Sequence, residues 1–99
     1  MNLPNDEKWI LKLYIAGMTP TAKRALANLQ AICEEHLASS YSLEVIDLVE
    51  NPSLEDGEQI FAVPTLVRKL PPPLRKIIGD FSDKEKVLVG LDVKPKAHS

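Results

Sequence analysis

The sequence predicts a single α/β domain of 99 residues whose first half is a strand–helix–strand unit. Three observations carry this. Trp9, Leu11, Leu13 and Ile15 alternate with Lys12 and Tyr14, which reads as a strand with one strongly apolar face. Ala22, Ala25, Leu26, Leu29, Ile32, Cys33 and Leu37 recur at three- and four-residue steps, the signature of one helix face. Leu43 to Val49 is a mostly apolar, β-branched run and reads as a second strand.

Met1 to Glu7 is polar and reads as a loose arm; residues 94–99 read as a short tail on the same domain. Gly17 ends the first strand, Thr19 offers a helix N-cap and Pro20 suits the first helical position, so the helix is expected over residues 20–37. Ser39 to Ser42 is expected to turn. A helix between the two strands makes them parallel, joined by a right-handed crossover.

The second half carries conflicting signals. Asn51-Pro52 is a turn, and Ser53 with Asp56 can cap a short helix that Gly57 weakens. Thr65 to Leu70 reads as a strand. Pro71, Pro72 and Pro73 follow; each removes an amide donor and fixes φ, and each X–Pro bond can be cis or trans. Leu74 to Ile78 can return as the second strand of a hairpin, or Leu74 to Gly79 can be helical. Ser82-Asp83-Lys84-Glu85 is a capping box that predicts a helix from residue 83, yet Val87 to Val93 reads equally well as a strand. Local choices that disagree funnel a chain less strongly toward one structure, and two packings close in energy are conceivable.

Composition narrows the function classes. A net charge of −2 argues against a general nucleic-acid binder. No apolar run is long enough for a membrane-spanning helix, and Met1 to Lys8 lacks the order of a signal peptide. One cysteine, Cys33, excludes an internal disulfide, so a soluble cytoplasmic protein is expected. At this length a domain buries only about 60–70% of its unfolded-chain surface, and self-association would add burial.

No catalytic constellation emerges. Cys33 falls on the apolar helix face and reads as a packed, inert thiol. Cys33 and His36 are too few for a metal site, and His36 near the helix end suits the helix dipole. Asp47 has no second acid, base or nucleophile spaced to join it, and no Gly-rich phosphate loop occurs. The expectation is a protein without enzymatic activity, cofactor or metal. Trp9 and Tyr14 read as packing residues. Arg68, Lys69, Arg75 and Lys76 flank the prolines and would meet across a hairpin; they read either as a solvated edge that discourages aggregation or as a docking patch for an acidic protein surface.

The order strand–helix–strand, short helix, then Val63-Pro64-Thr65 entering a strand resembles thioredoxin-like folds. In those folds the proline at this place is usually cis and borders the active site. The catalytic Cys-x-x-Cys pair of that family would fall at Met18-Thr19-Pro20-Thr21, which holds no thiol, so its redox chemistry is not expected here. A closer resemblance runs from Trp9 to Val93. Lys12-Leu13-Tyr14-Ile15-Ala16-Gly17, Thr19-Pro20, Arg24-Ala25-Leu26, Val45-Ile46-Asp47, Asn51-Pro52, Pro64-Thr65-Leu66, Leu70-Pro71-Pro72-Pro73, Ile77-Ile78-Gly79-Asp80 and Glu85 to Asp92 look like the KaiB family.

That resemblance implies a non-enzymatic partner of a KaiC-like ATPase, in a circadian clock or in a simpler timer or stress-adaptation system. It implies a tetrameric resting fold whose second half differs from thioredoxin, and a monomeric thioredoxin-like state that docks on KaiC. Self-association to a dimer or tetramer is therefore expected. The chain is expected in that resting fold, with residues 74–79 leaning helical and residues 87–93 forming a strand. By the same resemblance Gly90 and Asp92 are candidate switch residues; Pro71, Pro72 and Pro73, whose X–Pro bonds can gate a slow structural choice, and Pro64 join them. Arg24, Arg68, Arg75 and Lys76 are the candidate partner interface. Glu44 and Gln59 stand where clock KaiB proteins commonly carry lysine, and the tail is short. Glu44 lies on the strand expected to meet KaiA, which argues against binding KaiA; a SasA-like kinase is not the expected partner either. The alternative is a thioredoxin-like redox or adaptor protein acting through Cys33, or a detached sensor domain that binds a histidine kinase.

Overall fold

The structure, a computed structural model, describes residues 8–37, 40–52 and 60–93. The polar arm, the segment 53–59 with its short-helix signal, Gln59 and the tail lie outside the described residues. Strand β1 spans Trp9–Ile15 and follows its alternation: Leu11, Leu13 and Ile15 are buried on one face, and Tyr14 is buried on the other. Helix α1 spans Pro20–His36. The Thr19 hydroxyl accepts from the Ala22 amide at 3.1 Å, satisfying one amide that the helix leaves without a partner. Ala22, Ala25, Leu29, Ile32 and Cys33 form its buried stripe.

Strand β2 spans Tyr41–Asp47 and runs parallel to β1, in register from Trp9↔Tyr41 to Ile15↔Asp47. It starts and ends two residues earlier than the apolar run predicts. Asp47 sets the end: its Oδ1 accepts from the Gly17 amide at 2.9 Å and the Val49 amide at 3.0 Å, turning the chain there. Strand β3 spans Thr65–Leu70 and lies antiparallel to β1, with a register shift between Ile10 and Leu11. Strand β4 spans Arg75–Ile78 and returns antiparallel to β3. The sheet order is β2-β1-β3-β4.

Helix α2 spans Lys84–Leu91 and buries Val87, Leu88 and Leu91. These join Leu11, Leu13, Ile15, Leu66 and the α1 stripe in one core, so both helices cover the same sheet face. On the opposite face Tyr14, Ile46 and Val67 are buried, with Leu48 and Ile60 packed against them.

Two expectations are corrected. Residues 74–79 are not helical, and residues 87–93 are not a strand; the structure holds the thioredoxin-like arrangement rather than the resting fold. Tertiary context decides both. Pairing of Leu66↔Ile77 and Val67↔Lys76 gives β3 a second neighbour, and β-branched Ile77 packs against the core. Val87, Leu88 and Leu91 reach that core together only with helical spacing. The helix start that the sequence signals is used one residue later: Asp83 is the N-cap, and its Oδ1 accepts from the Lys86 amide at 3.2 Å.

The cap is testable. Asp83→Ala should lower stability by about 1 kcal/mol, whereas Asp83→Asn, which keeps the acceptor, should stay within a few tenths. Thermal unfolding followed by amide exchange across residues 84–91 measures both; equal loss in the two variants would remove the cap from the account.

Candidate functional site

Arg68 continues the inward phase of Leu66 on β3, so its side chain enters the helix-covered face and is 2% exposed. A buried guanidinium needs acceptors for its donors. Nη2 donates to the Pro73 carbonyl at 2.7 Å, and Nη1 donates to the Leu91 carbonyl. The guanidinium carbon also lies 5.2 Å from the centroid of the Trp9 ring, a cation–π placement. Leu91 closes α2, where the last carbonyls lack helical partners and carry partial negative charge, and the last turn has no basic residue of its own. Arg68 supplies that charge from β3. One side chain thus ties together β1, the triple-proline turn and the end of α2.

This corrects the expectation of one surface patch. Arg68 is withdrawn from it, while Arg75 and Lys76 are exposed on β4 and Lys69 is half-buried. Arg24 is exposed on α1 and turns inward along the surface: Nη2 donates to Thr21 Oγ1 at 3.2 Å, and Nε lies 3.7 Å from Asp80 Oδ2. Asn28 Nδ2 donates to the Asp80 carbonyl at 2.9 Å. Asp80 also accepts from the Ser82 amide at 3.1 Å. Bonds from Ser82, side chain first and then backbone, hold the Asp80 carboxyl below its usual range, with Arg24 adding to the effect. The next residue, Phe81, is buried with φ 61, a left-handed conformation rare for a bulky side chain. α1 therefore fixes the loop that enters α2.

The switch candidates gather around the same helix. An added Cβ at Gly90 would lie 2.7 Å from Ile77 Cδ1 and 3.0 Å from its Cγ1, so the missing side chain lets α2 approach β4 closely. Asp92 ends the helix in the left-handed region at φ 59, and the Val93 amide donates to the Leu88 carbonyl at 2.8 Å, a Schellman-type closure. An aspartate there places negative charge at the negative end of the helix. The Val63–Pro64, Leu70–Pro71 and Pro72–Pro73 bonds are cis. Pro71 to Pro73 sit at the far side of the Arg68 clamp, and Pro64 opens β3 beside α1.

Pro64, Val63, Ile15, Ala16, Thr19, Thr21 and Ala22 line a cleft of about 320 Å³ between the β1–α1 turn and the start of β3. Its polar side chains are hydroxyls, and Thr19 is already the α1 cap. Cys33 lies elsewhere, fully buried on α1, and burial followed by the Glu34 charge pushes its thiol up to about 12. A thiol held protonated is a poor nucleophile. Asp47 accepts two backbone amides and closes a turn. His36 is buried beside Glu35 at 3.5 Å, and no group of metal-ligating residues occurs among the described residues.

The geometry defines a thioredoxin-like domain with a threonine turn where that fold carries its reactive thiols. A family model describing a KaiB domain matches residues 12–93. The chain is 55% identical over 85 residues to the circadian clock oscillator protein KaiB of Microcystis aeruginosa, covering 86% of this chain and 82% of that one. It is 52% identical over 90 residues to that of Trichodesmium erythraeum, covering 91% and 86%. This chain belongs to the KaiB family. Among solved structures, the N-terminal domain of Synechococcus elongatus SasA superposes with a TM-score of 0.71 at 20% identity, covering 99% of this chain and 94% of that one. Mitochondrial thioredoxin 3 of Saccharomyces cerevisiae gives 0.68 at 18% identity, covering 88% and 80%. Both likenesses concern the fold.

Sequence reasoning gives no site role to Asn28, Ile77, Asp80 and Phe81, and it places the buried Arg68 on the surface. The signal for Arg68 was present, because Leu66 and Arg68 share one strand face. Nothing local announces that Asn28 and Asp80, 52 residues apart, will meet.

The Cys33 environment has a pH consequence. A thiol pKa raised on folding means that the folded state holds the proton while the unfolded state releases it, so stability falls as pH rises from about 9 toward 12. Cys33→Ala should flatten that decline, and the wild-type thiol should react with a disulfide reagent at pH 8 only as fast as the domain opens. Rapid labelling of the folded protein would contradict the packed-thiol assignment.

Proposed function

We propose that this chain is a non-enzymatic clock regulatory protein that binds a KaiC-type ATPase and modulates its phosphorylation or activity. The observation that carries the reading is the KaiB match over residues 12–93, together with relatives above 50% identity that bear the name of a clock oscillator protein. The exposed Arg75 and Lys76 support a docking surface on β4, with Arg24 beside it on the α1–loop junction. Arg68 contributes by holding that surface in shape, not by contact. A redox role through Cys33 has no support from its burial and raised pKa. Glu44 is exposed on β2, the opposite outer strand, and its charge argues against KaiA there.

We further propose exchange between the thioredoxin-like arrangement and a self-associated fold, a dimer or tetramer. The support is that residues 74–79 and 87–93 carry propensities for the secondary structure they do not adopt here. Mass action would favour the assembled form at high concentration.

Surface-immobilised KaiC-type ATPase from the native host should capture the protein, and Cys33→Ser should bind equally well. If the binding form is the minor one, observed association rates should level off with concentration instead of climbing linearly into the range of about 10⁵–10⁷ M⁻¹s⁻¹. Gly90→Ala gains roughly 1 kcal/mol of helix propensity but crowds Ile77. Combined with Ile77→Val it should raise the association rate and lower the oligomer fraction in light scattering. Asp92→Arg should act in the same direction by removing negative charge from the helix end. No capture of any KaiC-type protein would overturn the function.

A further inference from the structure

The turn that joins β3 to β4 is apolar, where turns are mostly built from polar residues and glycine. It reads Leu70-Pro71-Pro72-Pro73-Leu74, with Arg68-Lys69 before it and Arg75-Lys76 after it. Leu70 is 47% exposed and Leu74 46% exposed, and Pro72 and Pro73 are exposed between them. Neither leucine joins the two buried clusters of the described residues. The main chain of the turn is also poor in donors. Proline has no amide hydrogen, so three consecutive residues carry none. The Pro73 carbonyl is already met from inside by Arg68 Nη2 at 2.7 Å. Bare amides and carbonyls are what make an irregular loop costly in an apolar medium. This turn has shed much of that cost.

Behind the apolar tip the charge is positive. Arg75 is exposed, and so is Lys8, which lies at the same end of the sheet because Ile10 pairs with Leu70. Lys69 and Lys76 keep contacts of their own within the protein, so they add charge and not free donors. Arg68 is buried on its carbonyls and only shapes the turn. Residues 60–79 contain no acidic residue, although the whole chain is net negative. Arg75 and Lys76 point to opposite faces of the sheet, which makes a collar around a tip and not a flat patch. A convex apolar tip inside a basic collar is complementary to an anionic lipid surface. Acyl chains accept the leucines and prolines, and lipid phosphates accept the collar.

We propose that the β3–β4 turn is a membrane-surface anchor. Leu70 to Leu74 dip end-on into the boundary between headgroups and acyl chains of an anionic bilayer, and Arg75 and Lys8 sit at the phosphates. One turn buries little apolar area, so the contact is peripheral and reversible.

The test sediments full-length protein with vesicles of phosphatidylcholine alone and of phosphatidylcholine mixed with phosphatidylglycerol. The protein should pellet with the mixed vesicles and not with the neutral ones, and added salt should release it. Leu70→Ser with Leu74→Ser should weaken binding about tenfold or more while leaving thermal unfolding close to wild type. Arg75→Glu should weaken it by a similar factor, about tenfold. Orientation is read with a polarity-sensitive dye on an introduced thiol, since Cys33 is buried and stays unlabelled. Dye on Leu74→Cys should shift to the blue on mixed vesicles. Dye on Gln30→Cys, on the exposed face of α1, should not. If the serine pair fails to fold, the two dye positions decide alone. No binding to mixed vesicles, equal binding to neutral ones, unchanged binding by the folded serine pair, or a blue shift at Gln30→Cys in place of Leu74→Cys would each overturn the proposal.

Discussion

The buried guanidinium of Arg68 is the constraint on which the second half of this fold depends. A charge removed from water is strongly unfavourable unless its donors are met. Here the acceptors are the Pro73 carbonyl of the turn and the Leu91 carbonyl at the negative end of α2. Neither acceptor is close to Arg68 unless the β3–β4 hairpin has closed and α2 has formed and docked. The interaction therefore reports, and enforces, the simultaneous presence of three separate pieces of structure. Trp9 closes the site from β1, which couples these pieces to the first half.

Around that clamp the loop from β4 to α2 is held from the other side. Asn28 and Arg24 on α1 grip Asp80, Phe81 buries its ring in a left-handed conformation, and Gly90 lets the helix settle against Ile77. The contacts to Asp80 and to Ile77 join residues far apart in the sequence. Local preference pulls toward other structures in the same residues. In this half the shared core and these specific contacts outweigh contrary local propensity.

The same contrast explains what could be read from the sequence. The β1–α1–β2 unit was legible because its signals are local and agree: strict alternation from Trp9 to Ile15, a threonine cap followed by proline, and an apolar stripe ending at Leu37. Only the limits of β2 escaped, since Asp47 ends the strand through a bond to Gly17, thirty residues away. In the second half the sequence offers two elements each for Leu74 to Gly79 and Val87 to Val93, and the structure takes the strand for the first and the helix for the second. The arbiter was pairing with Leu66 and Val67 and access to a shared core. Within the candidate site, helix spacing makes the inert Cys33 legible, whereas Arg68 reads as a surface charge because Lys69, Arg75 and Lys76 flank the same prolines.

The most direct measurement is residue-resolved amide exchange and backbone chemical shifts for Arg68→Met beside wild type. Methionine fills much of the apolar volume but leaves the Pro73 and Leu91 carbonyls without their donors, a loss of about 2–4 kcal/mol. The account predicts that residues 75–78 and 84–91 lose protection and that residues 84–91 lose helical shifts, while β1, α1 and β2 remain folded. If α2 keeps its shifts and protection in Arg68→Met, the clamp does not select this fold and the account is wrong.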